Sequence, residues 1–528
     1  MKQCLLQVLS LLVCAMLCTC SASQKSGPPA RLTLLISGNT TGYLRNCGCQ
    51  SGQYGGELRR ARLLKQERVE ALKPRPADKG RSSAVLTIDQ GSTLDGDEYI
   101  ERLYSRQILK SMARTEYDLL GLGEKDLVFG QEDLFTYLRE IETEQGQAEL
   151  PFLPLTAVNL HFAKPVAGPD HSSELNKMIQ KYRVVDLGNG FKVGLIHAID
   201  QGVTMDTRED GKPVSEYFGF AVSDPAKATE AILKQHGKEA DFWIFTLADG
   251  IEGSTDPASI AKLQGLDLVI GFTGSNPNQA GDAGDVVKPF FMKGPILKAR
   301  DLVKIVVSFG ERDHDEFTIT GQQLSVGANI KGDEYVLGLI DEIYPEIEIY
   351  EKELLKTEKL TPNYVGQNTC ATCHSNIYQA MLASKHQHSF ESLELRAKED
   401  PEQSNAFKDP NCLRCHVTAY NSQHGGWNKL HPEPELQMIS CEVCHGPGQY
   451  HVQLKMPNNP IEPPEDLLAD GRNEHGLLEA TKQTCLQCHD AENSPKFDFD
   501  EYWGRIRHSL DMPVPQQNPG SDETVPGH

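Results

Sequence analysis

Four copies of Cys-x-x-Cys-His lie between residues 370 and 489 and constrain this chain more than any other feature. They are Cys370-Ala-Thr-Cys373-His374, Cys412-Leu-Arg-Cys415-His416, Cys441-Glu-Val-Cys444-His445 and Cys485-Leu-Gln-Cys488-His489. Two thiols at i and i+3 are one helical turn apart, close enough to add across both vinyl groups of one porphyrin. The histidine that follows then falls under the iron as its proximal ligand. Paired Cys-x-x-Cys also describes zinc ribbons, but zinc does not require histidine at that same offset every time. At the histidine frequency of this chain, four chance coincidences have odds on the order of one in a million. The motifs predict four covalently bound haem c groups, with His374, His416, His445 and His489 as proximal iron ligands.

Covalent haem attachment takes place outside the cytoplasm, and the start of the chain agrees. Lys2 is the one early charge, Leu5 to Leu17 form an apolar run too short for a comfortable membrane span, and small residues follow (Thr19, Ser21, Ala22, Ser23). That is the layout of a secretory signal over residues 1–20. Leu17-Cys18-Thr19-Cys20 resembles a bacterial lipoprotein box with Cys20 as the lipidated residue, although Cys18 is atypical there. Two outcomes stay open: a periplasmic protein released by plain cleavage, or one tethered to a bacterial membrane through a lipid on Cys20.

Of the 14 cysteines, Cys4, Cys14, Cys18 and Cys20 lie in the signal and eight belong to the haem motifs, which leaves Cys47 and Cys49. A disulfide scaffold is excluded. A chain of 528 residues has room for two or three domains. Its net charge of -22 argues against nucleic acid or an anionic lipid surface as partner and favours a basic redox protein. No second long apolar segment follows the first.

Residues 30–325 alternate short apolar runs with amphipathic stretches. Leu32–Ile36, Ala84–Ile88, Val193–Ile196, Phe242–Leu247 and Leu266–Ile270 read as buried strands; Leu58–Leu72, Glu98–Met112 and Ala226–His236 read as helices. Such alternation predicts an α/β domain. Residues 326–362 read as a charged helical connector interrupted by Pro345, residues 363–512 as the haem domain, and 513–528 as a disordered tail. Strand patterns disappear after Pro362 and histidine becomes frequent, so the haem domain is expected to be mainly α, with porphyrins forming much of its core.

Eight histidines of this region stand outside the motifs: His386, His388, His424, His431, His451, His475, His508 and His528. Counting alone cannot assign distal ligands among them. Here a resemblance adds to the residues. Tyr364-Val365-Gly366, Lys385-His386-Gln387-His388, Cys415-His416-Val417-Thr418, Gly425-Gly426, Cys441 to Gly448 with His451, and Tyr502-Trp503 to His508 are together similar to one family. It is the tetrahaem cytochrome c family typified by the electron acceptor of hydroxylamine oxidoreductase. That resemblance implies haems stacked in close pairs, most irons bis-histidine and one five-coordinate. By position it makes His388, His451 and His508 the distal candidates and the haem on Cys412/Cys415 the candidate open site.

A second resemblance covers residues 30–310. Ser37-Gly38-Asn39-Thr40-Thr41-Gly42, Asp89-Gln90-Gly91-Ser92, Leu120 to Asp126, Asn159 and Val269-Ile270-Gly271-Phe272 are similar to the 5′-nucleotidase/UDP-sugar hydrolase branch of the metallophosphoesterases. The fold it implies is a four-layer α/β sandwich. The family's two-metal ligand set does not carry over. Its positions correspond to Asn39, Thr41, Ser92, Glu124, Ala248, Phe272 and Gly274, with Lys125 in place of the phosphate-positioning histidine. One carboxylate cannot hold two cations a few ångströms apart, so phosphatase chemistry is not expected.

Near the first of these loops lies Asn46-Cys47-Gly48-Cys49, followed by Gly55-Gly56 and Arg59-Arg60. Glycine lets such a pair close a small, strained disulfide, and strained disulfides tend to be reactive. Nearby arginines favour a thiolate. Cys47 and Cys49 are thus redox candidates, the alternative being an inert disulfide or buried thiols. The combined expectation is an exported tetrahaem cytochrome whose pseudo-phosphoesterase domain docks a partner or a small substrate. A terminal reductase of a small nitrogen or sulfur compound, and a hydrolase with an unorthodox metal site, are the rivals.

Overall fold

In the computed structural model the described residues are 27–45, 54–96, 98–148, 153–188, 190–204, 208, 211–248, 254–271, 290–292, 298–310, 316–356, 362–455, 471–490 and 493–508. Cys20 and the signal, Cys47, Cys49, Phe272, Gly274, His528 and the tail lie outside them. Described residues separate into two compact units that do not follow a single cut of the chain. One draws on Met1–Tyr43, Arg60–Asp97 and Ile108–Val326, the other on Leu44–Arg59, Glu98–Gln107 and Gly327–His528.

The first unit is built on β-structure. Its strands in chain order are β1 (Arg31–Ser37), β2 (Ser83–Asp89), β3 (Leu119–Gly121), β4 (Leu155–Thr156), β5 (Leu160–Phe162), β6 (Arg183–Asp186) and β7 (Lys192–Ile199). There follow β8 (Phe220–Val222), β9 (Phe242–Ala248), β10 (Leu268–Ile270), β11 (Phe290–Met292), β12 (Asp301–Phe309) and β13 (Phe317–Ser325). They form a six-stranded sheet ordered β13-β12-β1-β2-β3-β4, a five-stranded sheet ordered β11-β10-β9-β7-β6 and a small β5-β8 pair. β1 runs parallel to β2 and antiparallel to β12.

Alternation along β1 explains the layering. Leu32, Leu34 and Ile36 meet Val193, Leu195, Phe242, Ile244 and Leu268 of the other sheet in one dry core. Leu35, on the reverse face, is also fully buried. The helix Glu57–Leu72 lies on that reverse face, where Arg68 Nη1 donates to Thr87 Oγ1 at 2.6 Å and Glu67 pairs with Lys304 at 2.5 Å. On the outer face of the second sheet, Ile196, Trp243, Phe245 and Val269 pack against Ala228, Ile232 and Leu233 of the helix Pro225–His236 and Ile260 of Pro257–Ala261. Helix, sheet, sheet, helix is the four-layer sandwich that the resemblance implied, and its alternation is the α/β pattern read from the sequence. The parallel strands β1, β2 and β3 bring Ser37, Asp89 and Gly121 to one edge, the usual place for a ligand site in such sheets.

Among its described residues the second unit contains no strand and many short helices. The helix Glu334–Leu354 runs straight through Pro345, where an interruption was expected. Proline there removes one backbone hydrogen bond. The buried stripe of Val336, Leu339, Ile340, Ile343 and Ile347 continues on both sides of it and outweighs that loss. Each Cys-x-x-Cys-His motif begins in its own short helix: Gln367–Ala371, Pro410–His416, Cys441–His445 and Lys482–Leu486. The apolar core around them is small, built of Phe390, Leu393, Ala406, Leu413, Val417, Trp427 and Leu436.

Candidate haem-binding site

Among the described residues no three His, Cys, Asp or Glu side chains converge as a metal-holding set. What the helical unit does contain is pairs of imidazoles. His374 faces His451 with ring centroids 6.1 Å apart, His489 faces His386 at 6.0 Å, and His445 faces His508 at 5.8 Å. Metal–imidazole bonds are about 2 Å long and a ring centroid lies about 1 Å behind its nitrogen, so two imidazoles on one iron have centroids roughly 6 Å apart. The separations therefore fit a haem iron between each pair.

Hydrogen bonds at the opposite ring nitrogens point the same way. Nδ1 of His416 donates to Ser389 O at 2.6 Å, that of His445 to Leu478 O at 3.2 Å, that of His451 to His475 O at 3.0 Å and that of His508 to Ile506 O at 3.2 Å. Nδ1 of His489 contacts Ser494 Oγ at 2.9 Å. Fixing Nδ1 in this way leaves Nε2 for a metal and sets the orientation of the ring. Burial lowers the pKa of His386, His416, His445, His451 and His489, which holds each as the neutral ligand form.

Of the distal candidates, the structure brings His451 and His508 opposite motif histidines. In the third pair it puts His386 rather than His388. His388 is exposed and its Nδ1 is 2.8 Å from Glu391 Oε2. The two are two residues apart in the one-turn helix Lys385–His388, so they cannot point the same way, and the ring that faces His489 is that of His386, not the His388 that the resemblance by position favoured. His416, the proximal candidate of the second motif, has no facing imidazole among the described residues.

The sulfurs also show which motifs are neighbours. Cys415 and Cys488 are in hydrogen-bond contact, which lowers the Cys415 thiol to about 7 and raises Cys488. Cys370 and Cys441 make the equivalent contact, raising the first and lowering the second. Motif one thus lies beside motif three, and motif two beside motif four. Cys373, Cys412, Cys444 and Cys485 complete the four motifs in the same region, and burial pushes Cys444 up to about 11.

At the strand edge of the α/β unit the loops around the corresponding metal positions are held by internal hydrogen bonds. Asn39, Thr41 and Ser92 sit in left-handed backbone (φ 51°, 46° and 51°), and Asn39 N and Thr41 N bond the carbonyls of Gly91 and Ser92. Asp89 accepts from Ser37 Oγ, Gly91 N and Thr93 Oγ1. Asn159 spends its amide on Ile199 O, Ser223 O and Ile199 N. Lys125 is 3.7 Å from Asp95, and Ala248 ends β9 without a ligand atom. His197 is fully buried between Thr246 Oγ1 (2.8 Å) and Leu122 O (2.9 Å), and burial pushes its pKa down to about 4.

Residues 369–446 match the family model "Cytochrome c554 and c-prime". Cytochrome c-554 of Nitrosomonas europaea is 28% identical over 147 residues, which cover 25% of this chain and 60% of that relative. Such a match implies covalently bound haem and points to assembly outside the cytoplasm. Solved structures similar to the chain include a calcineurin-like phosphoesterase of Bacillus subtilis (18% identical, TM-score 0.43, covering 61% of this chain and 99% of that one). Another is a 5′-nucleotidase precursor of Thermus thermophilus (17% identical, TM-score 0.44, covering 68% and 67%). The sandwich described above rests on its own sheet order. No described helix is long and apolar enough to cross a membrane.

Proposed function

We propose that the helical unit holds four covalent haems c and passes electrons along them outside the cytoplasm. The observation that carries this is the set of three imidazole pairs, each containing one motif histidine and one partner at iron-bridging separation. When bound, the haems supply one-electron carriers in close succession. The chain supplies the rest. Cys370, Cys373, Cys412, Cys415, Cys441, Cys444, Cys485 and Cys488 anchor the groups, and His374, His416, His445 and His489 ligate from the proximal side. His451, His386 and His508 would serve as second histidine ligands for the groups held by the first, fourth and third motifs. Carbonyls such as those of Ser389 and Leu478 hold the imidazole protons away from the metal. Contact between Cys415 and Cys488, and between Cys370 and Cys441, supports two close haem pairs.

The acidic surface suits a basic redox protein as partner. For the α/β unit we propose docking or small-substrate binding in place of phosphoester cleavage, because Asn39, Thr41, Ser92 and Ala248 stand where the resemblance requires metal ligands and only the carboxylate of Glu124 remains among the described positions. Nucleotide hydrolysis in the presence of manganese, cobalt or zinc would revive the hydrolase alternative. Cys47 and Cys49 are proposed as a redox pair on sequence grounds. Exchanging both for serine should alter reoxidation kinetics with a sulfur compound and leave the haem spectrum unchanged.

A terminal reductase is the second reading, and it is favoured because no imidazole among the described residues faces His416. Haemochrome assay with optical and paramagnetic spectroscopy tests both readings at once. Four haems per chain, three low-spin and one high-spin, are expected. Two or fewer haems, or zinc in their place, would end the proposal. Turnover of a small nitrogen or sulfur species at the high-spin centre would turn the carrier into a reductase.

A further inference from the structure

The helix that carries the second motif is held at its head by two residues from far upstream in the chain. Asp409 caps Pro410–His416: its Oδ1 accepts from Asn411 N at 2.9 Å and its carbonyl from Cys412 N at 3.0 Å and Leu413 N at 2.9 Å. Tyr104 Oη donates to the same Oδ1 at 2.8 Å. Arg45 Nε stands 3.3 Å from Asp409 Oδ2, while its Nη2 donates to Tyr344 Oη at 2.8 Å and its Nη1 to Glu402 O at 2.9 Å. Asp409 is 1% and Tyr104 5% exposed, so water screens this group little. A cap needs one carboxylate and no arginine. The ion pair is therefore more than the helix start requires.

We propose that Arg45 and Asp409 set the reduction potential of the second haem, the carboxylate lowering it and the guanidinium offsetting that effect. The inference rests on the reading of Cys412 and Cys415 as haem anchors. Asp409 is three residues before Cys412, whose sulfur would close one thioether arm, and seven before His416. Burial works against the charge on Arg45. The guanidinium stays protonated, favoured by Asp409 at 3.3 Å, and the Asp409 carbonyl accepts from Cys412 N itself, so the charge pair stands at the root of that anchor. A buried negative charge near an iron favours the oxidised form and a positive one the reduced form. No bond is made or broken; the iron gains or loses one electron against a different background field. Neither residue touches the iron in this scheme; each acts on it through its charge.

Redox titration of the intact, haem-loaded protein and of the variants Arg45→Gln, Asp409→Asn, Arg45→Lys and the Gln/Asn double tests this, with haem counted in each sample. Asparagine caps a helix as well as aspartate does, and lysine keeps the charge of Arg45. With four haems present, Asp409→Asn should raise one couple. Arg45→Gln should lower the same couple by about tenfold in its reduction equilibrium, which is about 59 mV for one electron. Arg45→Lys should leave it near its starting value, and the double variant should return most of the way. Shifts of the same sign in both single variants, or none, would overturn the proposal. So would loss of one haem from either single variant, which would make the pair purely structural. Fewer than four haems in the unaltered protein would instead be a failure of the underlying haem reading, and would remove this proposal with it.

Discussion

The two units treat buried histidine in opposite ways. In the α/β unit both nitrogens of His197 are spent on protein atoms, Thr246 Oγ1 and Leu122 O. In the helical unit His445 and His451 spend Nδ1 on a carbonyl, and a second imidazole stands about 6 Å from each ring. The first pattern is a satisfied core side chain, and the second is the arrangement that the proposed haem ligation requires. The cores differ in the same sense. Among the described residues, eighteen buried apolar side chains fill the space between the two sheets and nine more lie under the outer helices. Seven form the cluster around the motifs in the helical unit, apart from the buried stripe of the helix Glu334–Leu354. One unit is completed by its own side chains, whereas the proposed reading leaves the surroundings of the motifs in the other to haem.

The largest expected consequence is in folding. Protein produced without haem ligation should keep a cooperative, protease-resistant α/β unit, and its residues 362–508 should be digested. Porphyrins replace the apolar area that the helical unit lacks. Limited proteolysis with mass mapping checks this. If the haem-free chain resists digestion equally along its length, the contrast between the cores is mistaken.

A narrower test acts on one centre. His386→Ala should convert one low-spin haem to high-spin, whereas His388→Ala should leave the spectrum and haem count unchanged. The reason is that His386 faces His489 while His388 pairs with an exposed carboxylate. The reverse outcome would restore the assignment by sequence position.

The motifs that the proposal reads as anchors and proximal ligands stood out in the sequence because haem attachment demands a fixed short spacing, which any chain must display. The strands β1, β2, β7, β9 and β10 and the helices Glu57–Leu72, Tyr99–Ala113 and Pro225–His236 were legible because burial imposes periodicity. His386 was not separable from His388, since both stand in one short turn and only tertiary packing decides which faces inward. Arg45 and Tyr104 were invisible for a related reason: a lone charge and a lone phenol, hundreds of residues from Asp409, carry no local pattern. Asp409 itself could have been found. Asp-Pro just before Cys412 is a helix start signal. Grouping of Leu44–Arg59 and Glu98–Gln107 with the helical unit is likewise a tertiary fact that no composition shift marks.

The smallest expected effect compares two buried acids and bases within the α/β unit. Burial raises Asp126 from 3.8 to about 6, against hydrogen bonds from the amides of Gly123, Leu94 and Thr93 that favour its charged form. Burial lowers His197 from 6.5 to about 4. Each shift amounts to about 3 kcal/mol over its full range. For Asp126 the folded state binds the proton more tightly, so its contribution is full at low pH and is lost as pH rises through about 6. For His197 the folded state resists the proton, so its contribution is present above 6.5 and is lost as pH falls towards 4. Between about pH 4 and 6 the two slopes oppose each other and the unit's stability should change little with pH. Asp126→Asn should expose the histidine slope, with stability falling as pH drops from about 6.5 to about 4. His197→Gln should expose the opposite slope, with stability rising over the same descent. Urea midpoints followed by Trp243, the single tryptophan of that unit, measure both. Equal slopes in the two variants would mean that neither group titrates across this range, and the contrast between a spent histidine and a ligand histidine would lose its electrostatic half.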